Sequence, residues 1–115
     1  MNEEYLKKLQ ALKQQYIHSL PGILQQIQQG TDALASDDMS VADMDEYYRI
    51  VHSLIGSGAT YGFSEVSDFS RSLENSIKDL ADAPSDSREK IIRDIQAWCV
   101  LIGRAINTAT GSDEE

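Results

Sequence analysis

The sequence predicts an all-α domain: an antiparallel up-and-down four-helix bundle with an additional or kinked N-terminal helical segment. Apolar residues recur every three or four positions over most of the chain, as on the buried face of a helix. No segment alternates apolar and polar residues over the length of a strand. The chain has 115 residues, 41% of them hydrophobic, which is enough for one core without disulfide or metal support.

The first helical stretch covers residues 3–29 and contains Pro21. Its apolar residues are Leu6, Leu9, Leu12, Tyr16, Leu20, Ile23, Leu24 and Ile27. Because proline fits the first turn of a helix but disrupts an interior, the pattern predicts either one long kinked helix or a break near Ser19 and Leu20. Gly30 is a typical stop signal for this stretch.

The second and third stretches flank a segment rich in glycine. Residues 31–40 contain several Asp and Ser and are predicted as a loop, with Ser40 as the cap of the second helix. A second apolar stripe extends from Val41 to Ile55, and a third from Phe63 to Leu80. Between them, the glycines of residues 56–62 are expected to loosen the chain.

The fourth stretch follows a predicted turn at Pro84. Asp86 and Glu89 resemble a capping box, and an apolar stripe continues to Ile106. The chain from Thr108 is predicted to fray. We therefore expect a single domain over 1–110 and an acidic flexible tail over 111–115.

The net charge of −9 argues against nucleic acid and anionic membranes as partners, since both attract basic surfaces. Six acidic residues and no basic residue occur in 31–48, which is either a solvated segment or a docking surface for a basic partner. The apolar runs are too short for a membrane span, and the first residues lack the features of a signal peptide. We expect a cytoplasmic protein.

Few residues are candidates for a catalytic or metal-binding role. A single cysteine, Cys99, excludes an internal disulfide and a cysteine-based zinc site, and its apolar surroundings predict a core position. The chain has no glycine-rich phosphate loop, no zinc-binding helix motif and no serine nucleophile motif. We expect no metal site. Of the two histidines, His18 has no ligand or nucleophile spacing around it and is predicted to be structural or superficial.

His52 is the remaining candidate. At about 100° per residue it lies roughly 110° from the centre of the apolar arc, at the edge of the bundle. Gly56, four residues later, leaves space beside the ring for another protein's backbone. A neutral imidazole can carry a covalent intermediate near neutral pH. Position alone leaves both a nucleophile and a surface histidine without a role open.

Residues 52–63, HSLIGSGATYGF, resemble the signature of histidine phosphotransfer (HPt) domains. The matching positions are His52, Leu54, Gly56, Ser57 and Gly62, and the likeness covers roughly residues 15–105. The resemblance implies a monomeric phosphocarrier rather than an enzyme. Such a carrier accepts a phosphoryl group on His52 from a phospho-aspartate receiver domain and passes it to a response regulator. It implies no cofactor of its own, with Mg²⁺ held by the receiver.

One position departs from the family pattern. Ile55 stands where the family usually has lysine, whose charge would neutralise the phosphate. An HPt-like adaptor that binds a kinase or receiver without phosphotransfer therefore stays open, as does a helical scaffold unrelated to signalling. By the same resemblance, Tyr48, Ile55 and Ala59 are predicted to form an apolar docking patch around His52.

Antiparallel pairing of the second and third helices suggests a substitute for that lysine. The pairing sets His52 level with Glu74, while Arg71 and Lys78 lie on the same helical face as Glu74. We expect Arg71 or Lys78 to supply the positive charge and Glu74 to orient or border the ring. An ordinary salt-bridged surface is the alternative for these residues.

Overall fold

The computed structural model describes residues 2–111 and contains four α-helices. They are α1 (Glu3–Ala35), α2 (Val41–Thr60), α3 (Ser64–Asp82) and α4 (Arg88–Thr110). A short 3₁₀ turn, Ser85–Ser87, precedes α4, and the described residues contain no strand. The predicted all-α helical bundle is confirmed. Of the predicted tail, only Gly111 lies within the described residues.

Helix α1 is one continuous helix of 33 residues that includes both Pro21 and Gly30. The predicted alternative of a break before Pro21, the stop at Gly30 and the loop from residue 31 are therefore wrong. Gly30 serves packing instead, because a Cβ there would collide with the ring of Tyr47 on α2. The helix continues past it because Thr31 and Leu34 are buried against the core.

The N-terminal cap of α2 is the one predicted from the sequence, but that of α4 is not. The Ser40 hydroxyl accepts a hydrogen bond of 3.0 Å from the Asp43 amide, as predicted for a cap. The capping box predicted at Asp86 and Glu89 is wrong: α4 follows Ser87 without a side-chain cap. Residues 85–87 take up the 3₁₀ turn, so the helix begins later than the motif implies.

Helices α2 and α4 both extend further at their C-terminal ends than predicted. Helix α2 stays helical through its glycines to Thr60, because Gly58 allows the close approach of α3: a Cβ there would lie 3.0 Å from the Ser67 amide nitrogen. Helix α4 continues to Thr110 and ends at Gly111, whose positive φ of 74° suits a helix C-terminus. The predicted fraying from Thr108 is therefore wrong.

The four helices surround one core, in which α2 packs on α3, α3 on α4, and α1 on both α4 and α2. Its fully buried members include Leu20, Ile27, Val51, Leu54, Leu73, Ile95, Ile102 and Ile106. No helix in the described part of the chain is long and apolar enough to cross a bilayer. Within residues 2–111, no group of three or more His, Cys, Asp or Glu side chains is placed to hold a metal ion.

The first turns of α1 extend past the other helices. The Tyr16 ring stacks on Tyr61 and Phe63 of the α2–α3 turn, with ring centroids 4.7 and 5.8 Å apart. Lys13 Nζ lies 5.4 Å from the centroid of the Phe63 ring. The bundle therefore ends level with Lys13, and we call residues 3–12, all of them exposed, the overhang.

Candidate functional site

His52 lies on the outer side of α2, with 67% of its side chain exposed. The residue before it, Val51, and Leu54 two residues after it are fully buried. The apolar spacing of α2 thus fixes which way the helix faces and turns the imidazole toward solvent, as the sequence predicts.

Glu74 of α3 holds one side of this imidazole. His52 Nδ1 and Glu74 Oε2 are 2.7 Å apart. Glu74 itself is only 5% exposed, so a buried carboxylate contacts an exposed ring. The register deduced from antiparallel pairing of the two helices is the one observed. The ring is therefore anchored at Nδ1 and accessible at its other nitrogen.

The charge state of Glu74 determines which ring nitrogen carries the proton. Burial by itself raises the pKa of Glu74, but hydrogen bonding from Tyr48 and His52 and the charge of Lys78 outweigh it and bring the pKa below 4.5. The carboxylate is then ionised at neutral pH and can only accept hydrogen bonds. Nδ1 of His52 must therefore donate, which in the neutral imidazole leaves a free electron pair on Nε2.

Tyr48 forms the wall of the site one helical turn before His52. The two rings are nearly parallel, with centroids 6.1 Å apart and an interplanar angle of 14°. The Tyr48 hydroxyl interacts with Glu74, and this interaction raises the pKa of Tyr48. The sequence predicts Tyr48 on the face of His52, in agreement with their spacing of four residues, but it does not predict the interaction of Tyr48 with Glu74.

The two basic residues proposed as substitutes for lysine differ in their placement. Lys78, one turn after Glu74 on α3, interacts electrostatically with both Glu74 and Tyr48. Arg71 is exposed on α3, and the salt bridges among residues 2–111 do not include it. Lys78 is thus coupled to Glu74 and Tyr48, whereas Arg71 is not among the groups that act on either of them. We call His52, Glu74, Tyr48 and Lys78 the His52 cluster.

The predicted docking patch needs one correction. Ile55 is only 8% exposed, so its side chain offers little surface to a partner, and Ser67 of α3 donates a 2.7 Å hydrogen bond to its carbonyl. Ala59 and Gly56 are exposed, and a Cβ at Gly56 would meet no atom within 4 Å. The open surface beside His52 thus comprises Tyr48, Gly56 and Ala59 without Ile55.

Comparison with known protein families gives one result. The model of the Hpt domain matches residues 11–103, which is most of the chain and includes the whole His52 cluster. Neither a curated protein nor a solved structure matches. Hpt domains are phosphocarrier modules of two-component signalling. With an exposed histidine fixed by a buried carboxylate at the centre of that match, the chain belongs to the Hpt domain family.

Proposed function

We propose that His52 accepts a phosphoryl group from the phospho-aspartate of a receiver domain and passes it to a response regulator. One observation carries this proposal: Nε2 of an exposed ring is left free because buried Glu74 holds Nδ1 at 2.7 Å. The receiver supplies Mg²⁺ and most of the catalytic apparatus. The carrier needs no cofactor of its own, because it contributes a positioned nucleophile and a docking surface.

The proposed transfer is a displacement at phosphorus. The Nε2 electron pair forms an N–P bond, while the P–O bond to the aspartyl group breaks and leaves its electron pair on the aspartate carboxylate. The ring keeps its Nδ1 proton and becomes positively charged. Glu74 stabilises this cation through the hydrogen bond already present, and the reverse step delivers the phosphoryl group to the next aspartate.

Lys78 is the better candidate for the missing positive charge. Ile55, at the position of the family's usual lysine, is apolar and buried. Lys78 acts electrostatically on Glu74 and Tyr48, the two residues that contact the His52 ring, so we expect its ammonium group to reach a phosphate on that ring. Arg71 would have to reach the phosphate from outside the His52 cluster. Tyr48, Gly56 and Ala59 provide the surface on which a receiver docks.

The direct test is transfer of labelled phosphate from a phosphorylated receiver domain in the presence of Mg²⁺. The parent chain should gain a label that is acid-labile and base-stable, as a phosphohistidine is. His52→Gln should gain none. His18→Gln is the matched control, since it removes the only other histidine and should be labelled like the parent.

Three other outcomes would change the assignment. Binding of receivers without label on the parent would identify an adaptor that has kept the docking surface but lost transfer. Equal label on the parent and on His52→Gln would show that another residue accepts the phosphate. Absence of both label and binding would leave only a helical scaffold.

A further inference from the structure

The overhang carries an exposed apolar stripe. Tyr5, Leu6, Leu9 and Leu12 are 52%, 49%, 42% and 48% exposed. Single exposed apolar residues are ordinary, but four of them contiguous on ten residues of helix form a patch of the kind that marks an interaction surface. None of the four belongs to the His52 cluster, so the proposed phosphotransfer does not account for them.

The stripe lies on the same side of α1 as the core. At about 100° per residue, all four residues fall within about 70° of the line defined by Leu20 and Ile27, which are fully buried lower on the same helix. The covering helices end level with Lys13, where Phe63 and Tyr16 close the bundle. The core-facing side of α1 therefore continues above the bundle, and none of the other described residues packs against it there.

We propose that the stripe is a self-association surface, on which the overhang of a second copy packs antiparallel with Leu9 on the two-fold axis. In this register Leu6 of each copy faces Leu12 of the other, so the three leucines form one continuous contact. A two-fold arrangement needs only one self-complementary patch, which the stripe provides.

Charge selects the antiparallel direction. Glu3 and Glu4 precede the stripe, whereas Lys7, Lys8 and Lys13 lie along and after it. Antiparallel packing brings Glu3 of one copy close to the second copy's Lys13 on the same flank. Parallel packing would instead place Lys13 of one copy beside Lys13 of the other. The antiparallel pair also keeps the acidic residues of 31–48 at the far ends of the dimer, because the α1–α2 connection is at the opposite end of each bundle.

The expected dimer is small and leaves the phosphotransfer site free. Four half-exposed side chains per copy bury less than the roughly 1,200 Å² of a standard interface, so association should depend on concentration. His52 is on α2 and faces away from the core, whereas the stripe continues the core-facing side of α1. A dimer would differ from the monomer implied by the family resemblance, and its formation does not depend on phosphotransfer.

The first test measures mass in solution with the full chain. Sedimentation equilibrium from about 10 µM to about 1 mM should show a rise from 12.8 kDa toward twice that mass. Leu9→Glu should remain at the monomer mass throughout. Ala11→Glu adds the same charge to the same overhang on the side opposite Leu9, and it should associate like the parent. Leu9 lies outside the core, so far-UV circular dichroism should be the same for all three chains.

The second test measures direction by disulfide formation in a Cys99→Ala background, which removes the only native thiol. A mixture of Leu6→Cys and Leu12→Cys chains should cross-link with each other much more than either chain does alone. A parent that stays monomeric at all concentrations, or a Leu9→Glu chain that still dimerises, would overturn the surface. Preferential cross-linking of each variant with itself would overturn the antiparallel direction.

Discussion

Tyr47 and Tyr48 are neighbours on α2, yet they belong to two different polar clusters. Tyr47 is 3% exposed and its hydroxyl lies 2.7 Å from the Thr31 hydroxyl of α1, where burial strongly raises the pKa of the phenol. Tyr48 is turned about 100° further around the helix and lies against His52, with Glu74 within reach. One step along the chain separates a closed pair in the core from an open cluster at the surface.

The two clusters differ in exposure rather than in bond length. Both contain a hydrogen bond of 2.7 Å between different helices. In the Thr31–Tyr47 pair both partners are buried, so each hydroxyl serves the other and no reactive atom faces solvent. In the His52–Glu74 pair only the carboxylate is buried, and the imidazole keeps one nitrogen for a partner. The first arrangement can stabilise the fold, and the second can also do chemistry.

The largest effect is expected from a substitution in the His52 cluster, the open cluster of the two. Glu74→Ala removes the group that fixes Nδ1 and stabilises the charged ring, so the transfer rate should fall by about 10- to 100-fold, as for other carboxylates that orient an imidazole. The measurement is the single-turnover rate of label transfer from a phosphorylated receiver. Glu65→Ala removes an exposed acid from the same helix and should transfer at the parental rate. A parental rate in Glu74→Ala would contradict the orienting role.

A substitution in the Thr31–Tyr47 pair should instead lower the stability of the fold and leave the transfer rate unchanged. Tyr47→Phe leaves the buried Thr31 hydroxyl without its partner and should lower the free energy of unfolding by about 1 kcal/mol. The transfer rate should not change. Urea denaturation measures the first quantity, and the label assay measures the second. Tyr5→Phe is the matched control, since Tyr5 is exposed on the overhang and its hydroxyl should contribute little to stability.

A loss of transfer in Tyr47→Phe at a temperature where the variant is fully folded would show that the two clusters are coupled through α2. Unchanged stability would show that the Thr31 hydroxyl finds another acceptor within α1. Either result would remove the distinction between a structural and a chemical cluster.

A smaller effect should distinguish the two basic residues near the site. Lys78→Ala should slow transfer about threefold, since an exposed cation acts on a nearby charge with less than about 1 kcal/mol. Arg71→Ala should have no effect, because Arg71 lies outside the His52 cluster. Added salt should slow the parent and leave Lys78→Ala less affected. Equal rates for the parent and Lys78→Ala would show that no substitute for the family's lysine is needed.

The sequence predicts the site better than it predicts the helix ends. Helical spacing and antiparallel pairing were enough to find an exposed His52 beside Glu74. The stop predicted at Gly30 is wrong because the glycine serves a tertiary contact: it makes room for the ring of Tyr47, which the local sequence of α1 does not reveal. Ile55 lies on the apolar arc of α2 together with Val51 and Leu54, and this position predicts its burial correctly. Its closeness to His52 in the sequence wrongly suggested an exposed docking residue.

The smallest expected effect is a pH dependence that only the open cluster should show. The pKa of Glu74 is lower in the folded chain than its ordinary 4.5, so the carboxylate adds stability above that value. This contribution should disappear as the pH falls through the folded-state pKa. The difference in unfolding free energy between the parent and Glu74→Gln should therefore shrink between about pH 6 and pH 3.

The difference between the parent and Tyr47→Phe should stay constant, because neither Thr31 nor Tyr47 titrates there. Urea denaturation at each pH would measure both differences. A Glu74 difference that is equally constant would show that the carboxylate acts by packing and not through its charge.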